Sequence, residues 1–166
     1  TEAMDAYDVT KAARAVSEVA IDQLSNWYVR RNRRRFWKNE MGPDKLAAYQ
    51  TLSECLLVIA KLMAPFAQFL GEEIYRPHSA VDRGEKCESV HLARLPSPDP
   101  SSVDAELEGR MAKAQRIVSL VRAIRNKSNL KVRQPLARVI IPVTGVRDRK
   151  AIGSMESVIL DEIDRL

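Results

Sequence analysis

Apolar residues recur at helical spacing along most of the chain. Val9, Ala13, Val16, Ala20, Leu24 and Trp27 step by threes and fours, which predicts a first long helix from about residue 5 to residue 37. Continued, the same stripe meets Arg31 and then Arg34 or Arg35. The apolar face is therefore expected to turn cationic at its C-terminal end and to line a cleft or binding rim. Gly42-Pro43 breaks the pattern, and a second helix is predicted near 44–64 with Leu46, Tyr49, Leu52, Leu56, Ile59 and Met63 on one face. Pro65 suits the first turn of a shorter third helix, 65–76, whose Phe66, Phe69, Leu70 and Ile74 read as core. Residues 77–102 read as a long connection, with a short extended pattern at 89–95 before Pro96, Pro98 and Pro100. Ser101 and Asp104 suggest a capping box for a fourth helix near 102–128, with Leu107, Met111, Ala114, Ile117, Val118, Val121 and Ile124 inward.

After Asn129 the period changes. Leu136 to Val143 is a β-branched run that predicts a strand, and residues 150–160 and beyond are amphipathic again through Ile152, Met155, Ile159 and Ile163. A single strand needs a partner, either the 89–95 piece or a segment past Leu166. The pattern reaches Leu166 with no cap, so the chain is expected to continue. The predicted fold is mainly α: a helical bundle over residues 1–132, then a small, truncated α/β appendage over 133–166.

Composition narrows the possible functions. With 166 residues and 45% hydrophobic content, the chain can bury a core, while 5% aromatics and 6 Gly argue against a sandwich or barrel. No apolar run approaches the ~20 residues that span a bilayer. The opening TEAMDAYDVT lacks the basic and apolar parts of a signal peptide. The expectation is a cytoplasmic protein without a membrane partner, with Cys55 and Cys87 as reduced thiols. Two histidines exclude a multi-His metal site, and Cys87 with His91 gives too few ligands, so no metal is expected. No Gly-rich loop precedes a helix, and no Ser stands on a nucleophile elbow. Glu72 and Glu73, adjacent on a helix, face different ways. No residue is assigned a catalytic role.

Charge points elsewhere. Lys+Arg is 27 against 22 for Asp+Glu, a net +5, and the excess is concentrated in two places. Residues 29–38 carry six basic groups and no acid; residues 110–150 carry 12 and only Asp148. Two such segments suggest a polyanionic partner, although solvated or ion-paired helix faces would give the same composition. Arg outnumbers Lys 18 to 9, and Trp27, Tyr28, Phe36 and Trp37 bracket the first run. Guanidinium forks for phosphates together with rings for unpaired bases suit a folded RNA.

Three stretches are similar to a known family. Ser25-Asn-Trp-Tyr-Val-Arg-Arg-Asn-Arg-Arg-Arg-Phe-Trp37 resembles the signature helix of the tRNA-anticodon-binding domain of isoleucyl-tRNA synthetases. Asp44-Lys-Leu-Ala-Ala-Tyr-Gln-Thr-Leu52, Ala60-Lys-Leu-Met-Ala-Pro-Phe66 and Glu72-Glu-Ile-Tyr75 resemble its next two helices. Leu120 to Leu136 resembles its fourth helix and the turn into a junction subdomain. The resemblance implies an antiparallel bundle of the class I aminoacyl-tRNA synthetase type. The parent enzyme would use ATP and Mg to charge tRNA(Ile) with isoleucine. The HIGH and KMSKS motifs of its adenylate site are absent here, so the chain itself would need no cofactor. Its partners would be tRNA(Ile) and the parent's catalytic, editing and C-terminal domains. Valyl, leucyl and methionyl relatives, or a non-enzymatic helical interaction module, are the alternatives. The residues expected to meet tRNA are Tyr28, Arg30, Arg31, Asn32, Arg34, Arg35, Trp37 and Lys38 in the first segment. In the second they are Arg122, Arg125, Asn126, Lys127, Lys131, Arg133 and Gln134. Tyr28 and Trp37 would stack on bases. Asn32, Asn126 and Gln134 carry amides that can pair with base edges.

Overall fold

A computed structural model describes residues 2–37, 40–79, 87–131, 134 and 136–164. Its helices are α1 (Glu2–Asp5), α2 (Val9–Glu18), a π-helical segment (Val19–Val29), α3 (Arg33–Trp37), α4 (Pro43–Met63), α5 (Gln68–His78), α6 (Ala105–Lys127), α7 (Val146–Ser154) and α8 (Glu156–Asp164). The chain divides into two compact units, Thr1–Pro98 and Asp99–Leu166.

The predicted first helix is interrupted twice. Tyr7 takes a left-handed φ of 57° and ends α1, after which Asp8 restarts the helix by accepting from the Lys11 N–H at 2.9 Å. From Val19 the turn then widens to π geometry, and the Arg30 N–H reaches back five residues to the Ser25 carbonyl. A wider turn suits a four-residue step. The inward positions run Val16, Ala20, Leu24, Tyr28, Asn32 and Phe36, so the stripe closes on a ring rather than on Arg31 or Arg34.

The core of unit 1 lies between α4 and α5. Gly42 precedes α4, and Pro43 occupies its first turn, where a missing N–H costs nothing. Pro65 and Phe66 form the turn after α4, and α5 begins only at Gln68. It continues one residue past Pro77, which has no N–H to donate to the Glu73 carbonyl, and then stops. α5 folds back along α4 with Gly71 against Ala60 and Ala64; a Cβ at Gly71 would lie 3.2 Å from the Ala60 carbonyl oxygen. Leu57, Ala60, Ala64, Tyr75 and Val90 form the cluster. Because Gly71 and Tyr75 face α4, Phe69 is turned outward and is 91% exposed, not core as the spacing predicts. α4 has the length and mean hydropathy of a membrane span. It also carries Asp44, Lys45, Glu54 and Lys61 and supplies four buried residues to this unit, as the core helix of a bundle does.

The connection after α5 is held by an acid. Glu72 accepts from the Ser89 hydroxyl at 2.9 Å and the Val90 N–H at 2.8 Å, and so docks the single 3₁₀ turn Val90–Leu92 where an extended piece is predicted. Neither cysteine is in a disulfide, and the Cys87 thiol donates to the Leu92 carbonyl; burial, with Glu54 alongside, pushes the Cys55 thiol up.

In unit 2, Asp104 rather than Ser101 caps α6, accepting from the Leu107 N–H at 2.9 Å, while Asp99 caps a separate 3₁₀ turn, Pro100–Ser102. α6 buries Ala114 and Val118 and lies against α8, which contributes Ile159, Glu162 and Ile163. Residues 136–143 form no strand, and no strand forms among the described residues. Among the described residues the β-branched run, which carries Pro142, meets no strand edge, and the predicted α/β appendage does not form there; the elements after it are helices.

Candidate nucleic-acid interface

The basic end of the first helix is organised around Phe36, which is 5% exposed. Tyr28, Trp37 and Tyr49 meet its ring edge to face, at centroid distances of 6.4, 6.0 and 5.1 Å. The Tyr28 hydroxyl donates to the Ala48 carbonyl at 3.3 Å, and that of Tyr49 donates to the Phe36 carbonyl at 3.3 Å. Tyr28 is thus fixed within the unit, with little ring face to offer a base. Trp37 differs: it is 68% exposed, and the Arg33 guanidinium lies 5.7 Å from its ring centroid.

The arginines of this segment separate by partner. Arg35 forks onto Asp44 in the first turn of α4, with Nε to Oδ2 at 2.8 Å and Nη2 to Oδ1 at 2.6 Å. Nη2 also donates to the Asp44 carbonyl at 2.9 Å. Its Nη1 donates to the Asn32 side-chain oxygen at 3.0 Å, and the Asn32 amide nitrogen donates to the Tyr28 carbonyl at 2.9 Å. Arg35 and Asn32 together therefore lock α3 to α4, and both ends of the Asn32 amide are engaged. Arg31 lies over Trp27, 5.5 Å from its centroid, and partial burial lowers the pKa of Arg30, which stays cationic at neutral pH. Arg34 is exposed, and among the described residues no carboxylate pairs with it. Lys38 lies outside the described residues.

In unit 2 the buried cation is Arg125, 2% exposed. Its Nη1 donates to the carbonyls of Gln134 at 2.9 Å and Lys131 at 3.3 Å. The end of α6 explains why it is there. Asn129, at φ 51°, is the left-handed residue past the helix. The Leu130 N–H bonds the Arg125 carbonyl and the Asn129 N–H bonds that of Asn126, a Schellman closure that reverses the chain over the guanidinium. Arg122 pairs with Glu162 of α8 at 3.1 Å. The side chains of Asn126, Lys127, Lys131 and Gln134 are exposed, and Arg133 lies outside the described residues.

Of the positions expected to meet RNA, Arg34 and Trp37 are thus presented in unit 1, and Asn126, Lys127, Lys131 and Gln134 in unit 2. Tyr28, Asn32, Arg35, Arg122 and Arg125 are tied into their own units. Among the described residues no three His, Cys, Asp or Glu side chains converge.

A family model described as the anticodon-binding domain of tRNA ligase matches residues 1–141. The chain belongs to this family. Among curated relatives, an isoleucine–tRNA ligase of Porphyromonas gingivalis is 49% identical over 95% of the chain. Another, of Cytophaga hutchinsonii, is 46% identical over 98%, and that of Thermus thermophilus is 43% identical over 99%. The chain spans 14–16% of the length of these relatives. In this anticodon-binding domain, sequence reasoning missed Arg33, which caps the exposed tryptophan. The signal was its spacing: Arg33 is four residues before Trp37, the pairing distance on a helix. It also missed Asp44 and Glu162, the acids that engage two of the arginines.

Proposed function

We propose that this domain is the tRNA-binding module of a cytoplasmic isoleucine–tRNA ligase, and that it binds and positions tRNA(Ile) without catalysing a reaction itself. The observation that carries this reading is the likeness to isoleucine–tRNA ligases over nearly the whole chain. The exposed Trp37 supports it, because a ring with a cation at one side offers a stacking platform to an unpaired loop base. Arg34, Lys127 and Lys131 are cations available to phosphates, which supply affinity without sequence information. ATP, Mg and isoleucine would be handled by the rest of the longer protein. Binding energy from the anticodon end would be used there to orient the acceptor end in the transition state.

The test compares the binding of transcripts of isoleucine, valine, leucine and methionine tRNAs over a salt series. The reading predicts tightest binding to isoleucine tRNA and a steep loss of affinity with salt. Preference for another of these tRNAs would reassign the amino acid. Salt-insensitive or absent RNA binding would overturn the reading, and so would isoleucine-dependent ATP–pyrophosphate exchange by the pure chain.

A further inference from the structure

A second cationic feature lies within unit 2, on residues outside those expected to meet RNA. The N-terminal half of α6 and the helix α7 enclose an open groove of about 710 Å³, lined among others by Arg110, Lys113, Arg147 and Lys150. On α6, Glu106, Gly109, Arg110 and Lys113 share one face by their spacing; on α7, Arg147, Lys150, Ala151 and Ser154 do the same. Its small lining residues are Ala105, Gly109, Ala151 and Ser154, and a Cβ at Gly109 would meet nothing within 4 Å.

That charge is only partly answered. Lys113 pairs with Asp148, which also accepts from Thr144, and these bonds hold the Asp148 carboxyl below its usual range. Among the described residues, Glu106 is the one acid lining the groove. Against these two carboxylates stand four cations. The Arg110 Nε is buried and, among the described residues, has no hydrogen-bond partner. Among the described residues the lining holds no aromatic ring and no Asn or Gln; its polar side chains are chiefly cations, which suit phosphate oxygens, and phosphate contacts carry no sequence information.

We infer that this groove is a phosphodiester-binding site, which grips the ribose–phosphate backbone of the bound RNA irrespective of base sequence. The inference rests on the tRNA-binding reading and adds to it an attachment that contributes affinity and no discrimination.

The test uses the whole chain, isoleucine tRNA, and the same tRNA with its middle anticodon base changed. Arg147 and Lys150 are exposed, so Arg147→Gln with Lys150→Gln leaves the core untouched. The double variant is expected to weaken both RNAs by the same factor. It should also lower the slope of log affinity against log salt by roughly 0.7–0.9 for each phosphate that is no longer neutralised. Arg149→Gln, one charge removed from the same helix outside the groove, should change neither as much. Arg147→Lys with Lys150→Arg should restore binding, because a phosphate accepts a point charge of either kind. Unchanged affinity and slope in the double variant, with wild type binding normally, would overturn the groove alone. Retained RNA binding with weakened binding of polyglutamate would do the same, by making the occupant an acidic protein. Failure of wild type to bind any tRNA at low salt would overturn the underlying reading and the groove with it.

Discussion

At the end of the first helix the buried stripe closes on a phenyl ring, Phe36, and the arginines flank it. At the end of α6 it closes on a guanidinium, Arg125, while Ile124 beside it is 62% exposed. The two segments are similarly rich in arginine, yet they use it differently. In unit 1 the interior is satisfied by aromatic packing, which leaves Arg33, Arg34 and Trp37 on the surface. In unit 2 the turn after α6 presents to the guanidinium the carbonyl of Gln134 and that of Lys131, which also accepts from the Gln134 N–H, and a partly buried carbonyl needs a donor. Arg125 supplies it. A basic run therefore does not by itself mark an RNA-facing surface; what the neighbouring backbone and acids demand decides how many of its cations remain for a ligand.

The contrast breaks most sharply at Arg125. Arg125→Ala removes a charged donor from two carbonyls and is expected to cost about 1.5–3 kcal/mol of stability. Denaturant titration of the whole chain measures this, and Arg125→Lys should recover little because a single ammonium cannot reproduce the fork. An Arg125→Ala variant of wild-type stability would mean that the guanidinium is not a clamp.

A smaller effect is expected at Arg35. Its carboxylate partner is largely exposed, so the Arg35–Asp44 pair should contribute at most about 1 kcal/mol. A double-mutant cycle with Arg35→Ala and Asp44→Ala isolates this coupling. Asp44→Ala should lower stability by less than Arg35→Ala, because the bonds from Arg35 to the Asp44 carbonyl and to Asn32 survive it. If Arg35 also holds RNA, Arg35→Ala will reduce the salt slope of binding and Asp44→Ala will not.

The smallest effect concerns an acid in the clamping role. The Val90 N–H first, then Ser89 and Arg76, hold the Glu72 carboxyl below its ordinary value of 4.5. A depressed folded-state pKa means that the stabilisation is fully present above the unfolded value and is lost as pH falls through the folded one. Hydrogen exchange at Val90 should therefore accelerate as pH drops below about 4.5, after correction for the intrinsic rate, and Glu72→Gln should remove that pH dependence. A variant that keeps it would place the titrating group elsewhere.

Most of the helices were legible because their determinants are local. Gly42-Pro43 marks the start of α4, and the apolar spacing of α4 and α6 is periodic over more than 20 residues. What was not legible depends on distant partners. The β-branched run at 136–143 has strand propensity but meets no strand edge among the described residues, and propensity alone does not make a strand. Phe69 reads as core until Gly71 fixes which face of α5 meets α4. The widening to π geometry shifts the stripe by one position near Asn32, and no single residue announces it. The site followed the same rule. Trp37 and Arg34 could be named from sequence, whereas the commitments of Arg35, Arg122 and Arg125 rest on Asp44, Glu162 and a turn up to 40 residues away in sequence.

The central claim is that the exposed end of α3 reads RNA while Arg35, in the same helix, holds the fold. Binding of wild type and Trp37→Ala to isoleucine tRNA, and to the same tRNA with a changed middle anticodon base, tests it most directly. Loss of a stacked base should cost about 1–3 kcal/mol on the cognate tRNA and shrink the gap between the two RNAs, while loss of the edge contact with Phe36 lowers stability by no more than about 0.5–1.5 kcal/mol. Equal binding of the two RNAs by wild type, with no change in Trp37→Ala, would contradict the claim.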